Sequence, residues 1–331
     1  MRSWKASGRF TPHLLLRSPN GGHVRRASSV DTEGREHPRG EISSKTLAGL
    51  LQEGISILSE RGVQNAEMEA NWILEFALGT THLTLRLDGR REVRAEDWSR
   101  VMELFSRRAA HEPLQYILGT QEFCGLEFMV EPAVLIPRPE TELLVEELVL
   151  HRFTTAHPMI ADIGTGSGCI AVAIARALPS ASLYATDRSP AALDIARKNA
   201  ARHAVEGRVV FLAGDLFEPL RGRGVEGKLE AIVSNPPYIP DGEFAALSPE
   251  VGAFEPRIAL AGGVDGVAIH RRLLRDAPEF LASGGVLILE VGLGQADRLC
   301  QIAWAEGGYG RIRTTRDAAG IERVVCLQKQ C

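Results

Sequence analysis

Met159-Ile160-Ala161-Asp162-Ile163-Gly164-Thr165-Gly166-Ser167-Gly168 is the stretch on which the fold turns. The first five residues read as a buried strand, the glycines as a tight turn, and Cys169 to Leu178 as an apolar helix stopped by Pro179. Leu183-Tyr184-Ala185-Thr186-Asp187 then reads as a second strand that ends in an acid. Strand, glycine turn, helix and strand make a nucleotide-binding βαβ unit. Glycines let a ligand approach the backbone, and the carboxylate of Asp187 accepts hydrogen bonds from ribose hydroxyls.

The glycine spacing narrows the nucleotide. A dinucleotide site has G-x-G-x-x-G, with the pyrophosphate on the helix N-terminus. Here the spacing is G-x-G-x-G, with Asp162 two residues ahead of the first glycine. An acid at that place repels a pyrophosphate and suits a ligand that carries a cation. The turn therefore favours S-adenosylmethionine, which has a sulfonium and no phosphate, over NAD.

Towards the C-terminus the alternation continues. Ser189 and Pro190 suit the start of a helix from Ala191 to Arg202, and strands follow at Arg208 to Ala213 and Leu229 to Ser234. Asp215, after the third strand, is placed to read an adenine that Leu216 covers; a surface-turn aspartate is the alternative. The next strand stops at Asn235-Pro236-Pro237-Tyr238, because proline cannot continue a ladder. That stiff turn presents polar groups at the edge of the sheet where ligands bind. An asparagine, proline carbonyls and a tyrosine ring are suited to grip a planar amide or amino group, although a purely structural Pro-Pro turn reads equally well from these residues alone. Beyond it lies a long irregular stretch holding Phe254-Glu255-Pro256 and Gly262-Gly263-Val264-Asp265-Gly266, and loops of that length usually carry function. A helix from His270 to Leu281, a strand from Val286 to Val291, a helix from Gln295 to Glu306 and two last strands, Arg311 to Thr315 and Glu322 to Leu327, complete a seven-stranded α/β sheet. Ending on consecutive strands places one antiparallel strand in it.

Towards the N-terminus, Pro137-Arg138-Pro139-Glu140-Thr141-Glu142 precedes a helix reaching Leu150. Arg138, between prolines at a domain junction, is expected to contact substrate, with Glu140 beside it. Residues 116–138 read as a β-hairpin linker around Gly125. Residues 41–115 hold three helical patterns, from Leu47, from Ala66 and around Trp98 to Phe105, which make a small bundle for recognition. Residues 31–40 are polar and read as a linker. Residues 1–30 carry six basic residues, five serines and no acid, the composition of a mitochondrial transit peptide; a basic tail that binds nucleic acid is the alternative. The rest of the chain holds 32 basic and 42 acidic residues, a net charge of −10 that disfavours sequence-independent grip on a polyanion. Five scattered cysteines with no Cys-x-x-Cys pair argue against a disulfide framework and a zinc site. No apolar run approaches the ~20 residues of a membrane span.

Together, Asp162 to Gly168, Asp187, Asp215 and Asn235 to Tyr238 resemble the HemK/PrmC family of release-factor glutamine methyltransferases. The segments Pro137 to Glu142, Phe254 to Pro256 and Leu260 to Gly266 extend the likeness from about Leu47 to the C-terminus. The resemblance implies a Rossmann-like class I methyltransferase domain over residues 139–331. It implies S-adenosylmethionine as donor, and as acceptor the glutamine of the Gly-Gly-Gln loop of a peptide-chain release factor. Gly164, Thr165, Gly166, Ser167 and Gly168 would cradle the methionine part, Asp187 the ribose, and Asp215 with Leu216 the adenine. Family members often have an aromatic residue where this chain has Leu216. The N-terminal extension departs from the bacterial pattern and resembles the mitochondrial branch, so a monomeric enzyme of the mitochondrial matrix is expected. In that setting Asn235 Oδ1 and the Pro236 carbonyl would accept the two N–H groups of the glutamine amide, with Pro237 and Tyr238 completing the turn and Tyr238 packed on the amide plane. N6-methylation of adenine in DNA or RNA uses the same grip and is the competing reading, but the acidic body lacks a surface for the strand. A non-catalytic adaptor is the third.

Overall fold

The computed structural model describes residues 46–330. The transit peptide read over residues 1–30 and the linker over 31–40 lie outside the described residues, as do the first five residues of the bundle segment and Cys331.

Five helices form the N-terminal part: α1 (Leu47–Glu60), α2 (Ala66–Leu78), α3 (His82–Leu87), α4 (Ala95–Ala109) and α5 (Leu114–Leu118). Thr46 caps α1, its Oγ1 accepting the Gly49 N–H at 3.2 Å. Leu50, Leu58, Ile73, Leu74, Val101 and Phe105 bury the facing stripes in one core. A Cβ on Gly54 would fall 2.2 Å from the Phe105 ring, so glycine there is what lets α1 close on α4. Periodicity predicts three helices; α3 and α5, of six and five residues, are too short to show a 3.6-residue repeat.

A hairpin of β1 (Thr120–Phe123) and β2 (Leu126–Met129) follows, turning through Cys124 and Gly125 at φ of 51° and 70°. Positive φ at both central residues gives the turn a twist that matches the strands.

The sheet domain contains β3 (Met159–Ile163), β4 (Ser182–Asp187), β5 (Val209–Ala213), β6 (Leu229–Ser234), β7 (Leu281–Glu290), β8 (Tyr309–Arg316) and β9 (Glu322–Lys329). Their order is β5-β4-β3-β6-β7-β9-β8, parallel except for β9, which runs antiparallel to both neighbours. The helices are α6 (Glu142–Val149), α7 (Cys169–Ala177), α8 (Pro190–Arg202), α9 (Pro249–Phe254), α10 (Ala268–Phe280) and α11 (Ala296–Glu306). Successive strand residues enter opposite cores. Ile160 and Val233 pack with Leu144, Val172 and Ile174, whereas Ala161 and Ile232 pack with Leu273, Phe280 and Leu299. Both faces are covered, which is why these strands read as continuous apolar runs. The seven strands and the single antiparallel one agree with the sequence. The stretch after Tyr238 differs: it holds 3-10 turns at Asp241–Ala246 and Arg257–Ala259 with α9 between them, pieces too short for periodicity.

Buried polar contacts join the two parts. Arg108 of α4, only 5% exposed, pairs with Glu69 at 2.5 Å and with Glu250 of α9 at 2.8 Å. The Tyr116 hydroxyl donates to the Val134 carbonyl at 2.6 Å.

Candidate functional site

Strand order reverses between β3 and β6, and the crevice beyond two such strand ends is where an open α/β sheet binds ligands. Ser234 fixes the two ends together, its hydroxyl donating to the Ile163 carbonyl at 2.6 Å. A cavity of about 270 Å³ opens there. Gly164, Thr165, Gly166, Ser167, Asp187, Asp215, Leu216, Asn235 and Arg138 all line it, so residues scattered over nearly eighty positions from Arg138 to Leu216 meet Asn235 at one site.

The glycine turn is held from below. The Gly164 and Thr165 N–H groups donate to the Thr186 carbonyl at 2.8 and 2.9 Å. Gly166, at φ 54°, donates to Asp187 Oδ2 at 2.9 Å, and Ser189 donates to Asp187 Oδ1 at 2.8 Å. No atom lies within 4 Å of a Cβ placed on Gly166, so its open side belongs to the cavity. Asp187 thus braces the turn and the start of α8 while lining the cavity; burial raises its carboxyl above the usual range.

Two expected cofactor contacts stand off the cavity. Asp162 does not line the cavity: it is fully buried, and its Oδ2 accepts the Thr165 hydroxyl at 2.6 Å and the Ala171 N–H at 3.2 Å. It stiffens the turn and the start of α7 from beneath. Gly168 also stands off the cavity; a Cβ there would meet Ala196 at 2.9 Å, so it serves the packing of α7 on α8. Leu216 does line the cavity, but with φ 50°, its carbonyl accepting the Thr186 hydroxyl at 2.9 Å. Asp215 reaches the cavity with a partner already in place, Arg272 at 2.6 Å.

Burial pushes the Asp162 carboxyl up to about 7 against the pull of its two donors, and Oδ1 has no partner among the described residues. A carboxyl whose folded pKa lies above its unfolded value adds stability below that unfolded value and loses it as pH rises through about 7. Asp162→Asn carries no such charge. Its melting temperature is expected to rise relative to wild type between about pH 5 and pH 8, and a constant difference in thermal scans across that range rejects this account.

At the other wall, Asn235 and Pro237 line the cavity. The Asn235 Nδ2 donates to Thr141 Oγ1 at 3.1 Å. Neither Asn235 Oδ1 nor the Pro236 carbonyl is engaged by another described residue. Tyr238 and Pro236 do not line the cavity. The Tyr238 hydroxyl donates to Glu290 Oε1 at 3.3 Å, tying the turn to the end of β7, and burial raises the phenol well above its ordinary value. The Tyr238 hydroxyl thus anchors the turn to β7. Behind the turn, Gln295 Nε2 donates to the Tyr238 carbonyl at 2.9 Å, and a Cβ on Gly266 would meet that same carbonyl at 2.6 Å. The Gly262 to Gly266 segment is thus a buttress on which the turn rests.

Arg138 lines the cavity, and its guanidinium is paired with Glu255, which is buried and also accepts the Ile136 N–H at 3.3 Å. Glu140 is exposed and does not line it. Four residues that sequence reasoning did not single out complete the site: Thr141, Glu255, Glu290 and Asn199. Asn199 is fully buried and donates to the Ser167 and Met129 carbonyls at 2.8 and 3.0 Å, pinning the glycine turn to the hairpin. Its one outward signal is an amide in the middle of an otherwise ordinary helix.

The donor set fits S-adenosylmethionine: an open glycine cradle and two carboxylates on the cavity wall, with the Arg138 guanidinium on that wall paired to Glu255 and Arg272 paired to Asp215, while Arg188 lies beside Asp187. Comparison with known proteins agrees. Residues 49–119 match the model of the PrmC N-terminal domain, and residues 139–247 that of the methyltransferase small domain. The hMettl16 catalytic domain, solved with the MAT2A 3'UTR hairpin 6, shares the fold at a TM-score of 0.50 and 16% identity, covering 73% of this chain and 85% of that one. A release factor glutamine methyltransferase of Geobacter sulfurreducens is 46% identical over 85% of this chain and 95% of its own length. Those of Gloeobacter violaceus and Moorella thermoacetica are 44% and 42% identical, over 78% and 84% of this chain and 88% and 96% of theirs. With the sheet order, the glycine turn and the Asn-Pro-Pro-Tyr turn at one cavity, these likenesses carry the conclusion that the chain belongs to the release factor glutamine methyltransferase family.

Proposed function

We propose that this enzyme methylates N5 of the glutamine in the Gly-Gly-Gln loop of a peptide-chain release factor, and that it does so in the mitochondrial matrix. The observation that carries the chemistry is the amide of Asn235, whose Nδ2 is occupied by Thr141 so that Oδ1 is the atom left to accept. S-adenosylmethionine supplies an electrophilic methyl group when bound; Gly164 to Gly166, Asp187, and Asp215 with Leu216 are the residues to hold it. Asn235 Oδ1 and the Pro236 carbonyl take one N–H each from the substrate carboxamide and orient its nitrogen. Pro237 supplies an apolar wall that excludes water. The carboxamide nitrogen is a poor nucleophile, so this positioning does most of the work, and no strong base is required before the methyl arrives.

The relatives cited support the substrate class. Residues 1–30, basic and acid-free, support the location, and a fluorescent fusion of residues 1–40 that stays in the cytosol would overturn it. For the activity, the protein is incubated with S-adenosylmethionine and candidate release factors, and the Gly-Gly-Gln peptide is read by mass spectrometry. One added methyl on the glutamine is expected. An unmodified peptide, together with label transferred to duplex DNA or to RNA, would move the function to the adenine-amino class.

A further inference from the structure

We propose that Arg138 binds the carboxylate at the methionine end of S-adenosylmethionine, with Glu255 holding the guanidinium in place, a role that rests on the cofactor proposed above. It supplies a cation for the one anionic group of that ligand. It also moves Arg138 from the protein substrate, where its place between prolines puts it, to the cofactor.

Sheet order lays the cavity wall out in sequence. Neighbouring strands lie about 4.8 Å apart, and along their C-terminal ends come Asp215 after β5, Asp187 on β4, Gly164 to Ser167 after β3 and Asn235 after β6. A nucleoside held by Asp215 and Asp187 puts the sulfonium at the glycine turn, within reach of Asn235, and sends the amino-acid arm away from β5. Arg138 stands on that far side. Its carbonyl accepts the Thr141 N–H at 3.1 Å, and Thr141 Oγ1 accepts Asn235 Nδ2 at 3.1 Å, so one short turn separates it from the end of β6. The other cation on the wall, Arg188, follows Asp187 at the end of β4 and is exposed on the nucleoside side.

The methionine end carries an ammonium and a carboxylate, and an anion entering a cavity walled by Asp187 and Asp215 needs a donor of opposite charge. The Arg138 guanidinium has donors to give. Glu255, its side chain 1% exposed, takes Nη2 through Oε1 and the Ile136 N–H at 3.3 Å through Oε2. Nη1 and Nε of Arg138 have no partner among the described residues, and the side chain is 33% exposed where it lines the cavity. A structural tie to Glu255 would be complete with the guanidinium buried. Here a planar group fixed at Nη2 by a buried acid keeps Nη1 and Nε for a second carboxylate, and planar N–H donors of that kind suit carboxylate geometry.

The test uses the full chain without release factor and two ligands: S-adenosylhomocysteine, and its decarboxylated form, which keeps the base, the sugar and the amine. In calorimetric titrations wild type is expected to bind S-adenosylhomocysteine about thirtyfold more tightly than the decarboxylated ligand. Arg138→Met weakens S-adenosylhomocysteine by that factor and leaves the decarboxylated ligand within about twofold, so the preference disappears. Arg138→Lys, which keeps the charge and loses the planar donors, falls between. Removing Arg138 strands Glu255 as a buried charge and lowers the melting temperature, so Arg138→Met/Glu255→Gln is titrated too; its melting temperature returns towards wild type while the preference stays lost. Equal weakening of both ligands in the single and double variants overturns the proposal, because Arg138 then serves only the shape of the cavity. Unchanged affinity for both ligands, with a raised KM for the release factor, also overturns it and returns Arg138 to the protein substrate. If wild type binds neither ligand, the cofactor falls and the proposal with it. If the preference behaves as expected while no release factor is methylated, the role of Arg138 stands and the substrate assignment falls.

Discussion

Asn235→Ala lowers the rate of methyl transfer to the Gly-Gly-Gln glutamine by about a thousandfold, while the affinity for S-adenosylmethionine is unchanged. The size follows from what the residue is asked to do. Amide resonance ties up the nitrogen lone pair, so rate depends on holding that nitrogen in line and on stabilising its N–H groups as they become acidic. Asn235 Oδ1 is one of two acceptors for those groups and lines the cavity; alanine removes it and lets the amide rotate. The fold has little at stake in the same atom. Asn235 makes a single hydrogen bond to Thr141, and losing one such bond costs about 1 kcal/mol. Stopped-flow single turnovers with saturating cofactor, alongside titration calorimetry, separate the two quantities. Turnover in the alanine variant close to wild type would remove Asn235 from the chemistry; a parallel loss of cofactor affinity would place it among the cofactor contacts instead.

Much of this site could be read because its residues sit where strands end. Asp187 and Asn235 both close apolar runs, and a polar residue at that position in a parallel sheet faces the ligand crevice. Glu290 carried no such signal, because it lies inside the run read as a strand, Val286 to Val291, and only the structure ends β7 there. Thr141 was harder to see. It lies inside the Pro137 to Glu142 segment, but its partner is 94 residues away, and only the packing of α6 beside β6 brings them together. Asp162 shows the opposite limit. Its place before the glycines was clear, yet whether it faced ligand or protein depended on the strand's pleat, and the pleat turns it under the turn onto Thr165. For Tyr238, a ring beside a proline pair suggested stacking, but the acceptor that holds its hydroxyl, Glu290, comes from a different strand and was not visible. In the bundle, long amphipathic helices were legible and the two short ones were not, since five or six residues make less than two turns.

Asp187→Ala is expected to weaken binding of S-adenosylmethionine about a hundredfold, and binding of S-adenosylhomocysteine by the same factor. Each carboxylate oxygen already takes one backbone N–H, from Gly166 at 2.9 Å and from Ser189 at 2.8 Å, and each keeps a further lone pair for a ribose hydroxyl. Hydrogen bonds to a charged acceptor contribute about 1.5–3 kcal/mol each, and a hundredfold change in affinity is about 2.7 kcal/mol, so one to two lost bonds account for it. Burial holds the Asp187 carboxyl above its ordinary range, so removing the charge returns part of a desolvation cost and offsets the loss of its bonds to the turn; the melting temperature therefore changes less than the affinity does. The two ligands share the ribose and differ in the sulfonium, which only the methyl donor carries. Equal weakening in calorimetric titrations assigns Asp187 to the sugar. Weakening confined to the methyl donor assigns it to the positive charge, and the adjoining Asp215, already paired with Arg272, would then be left as the only acid on the wall free to read the nucleoside.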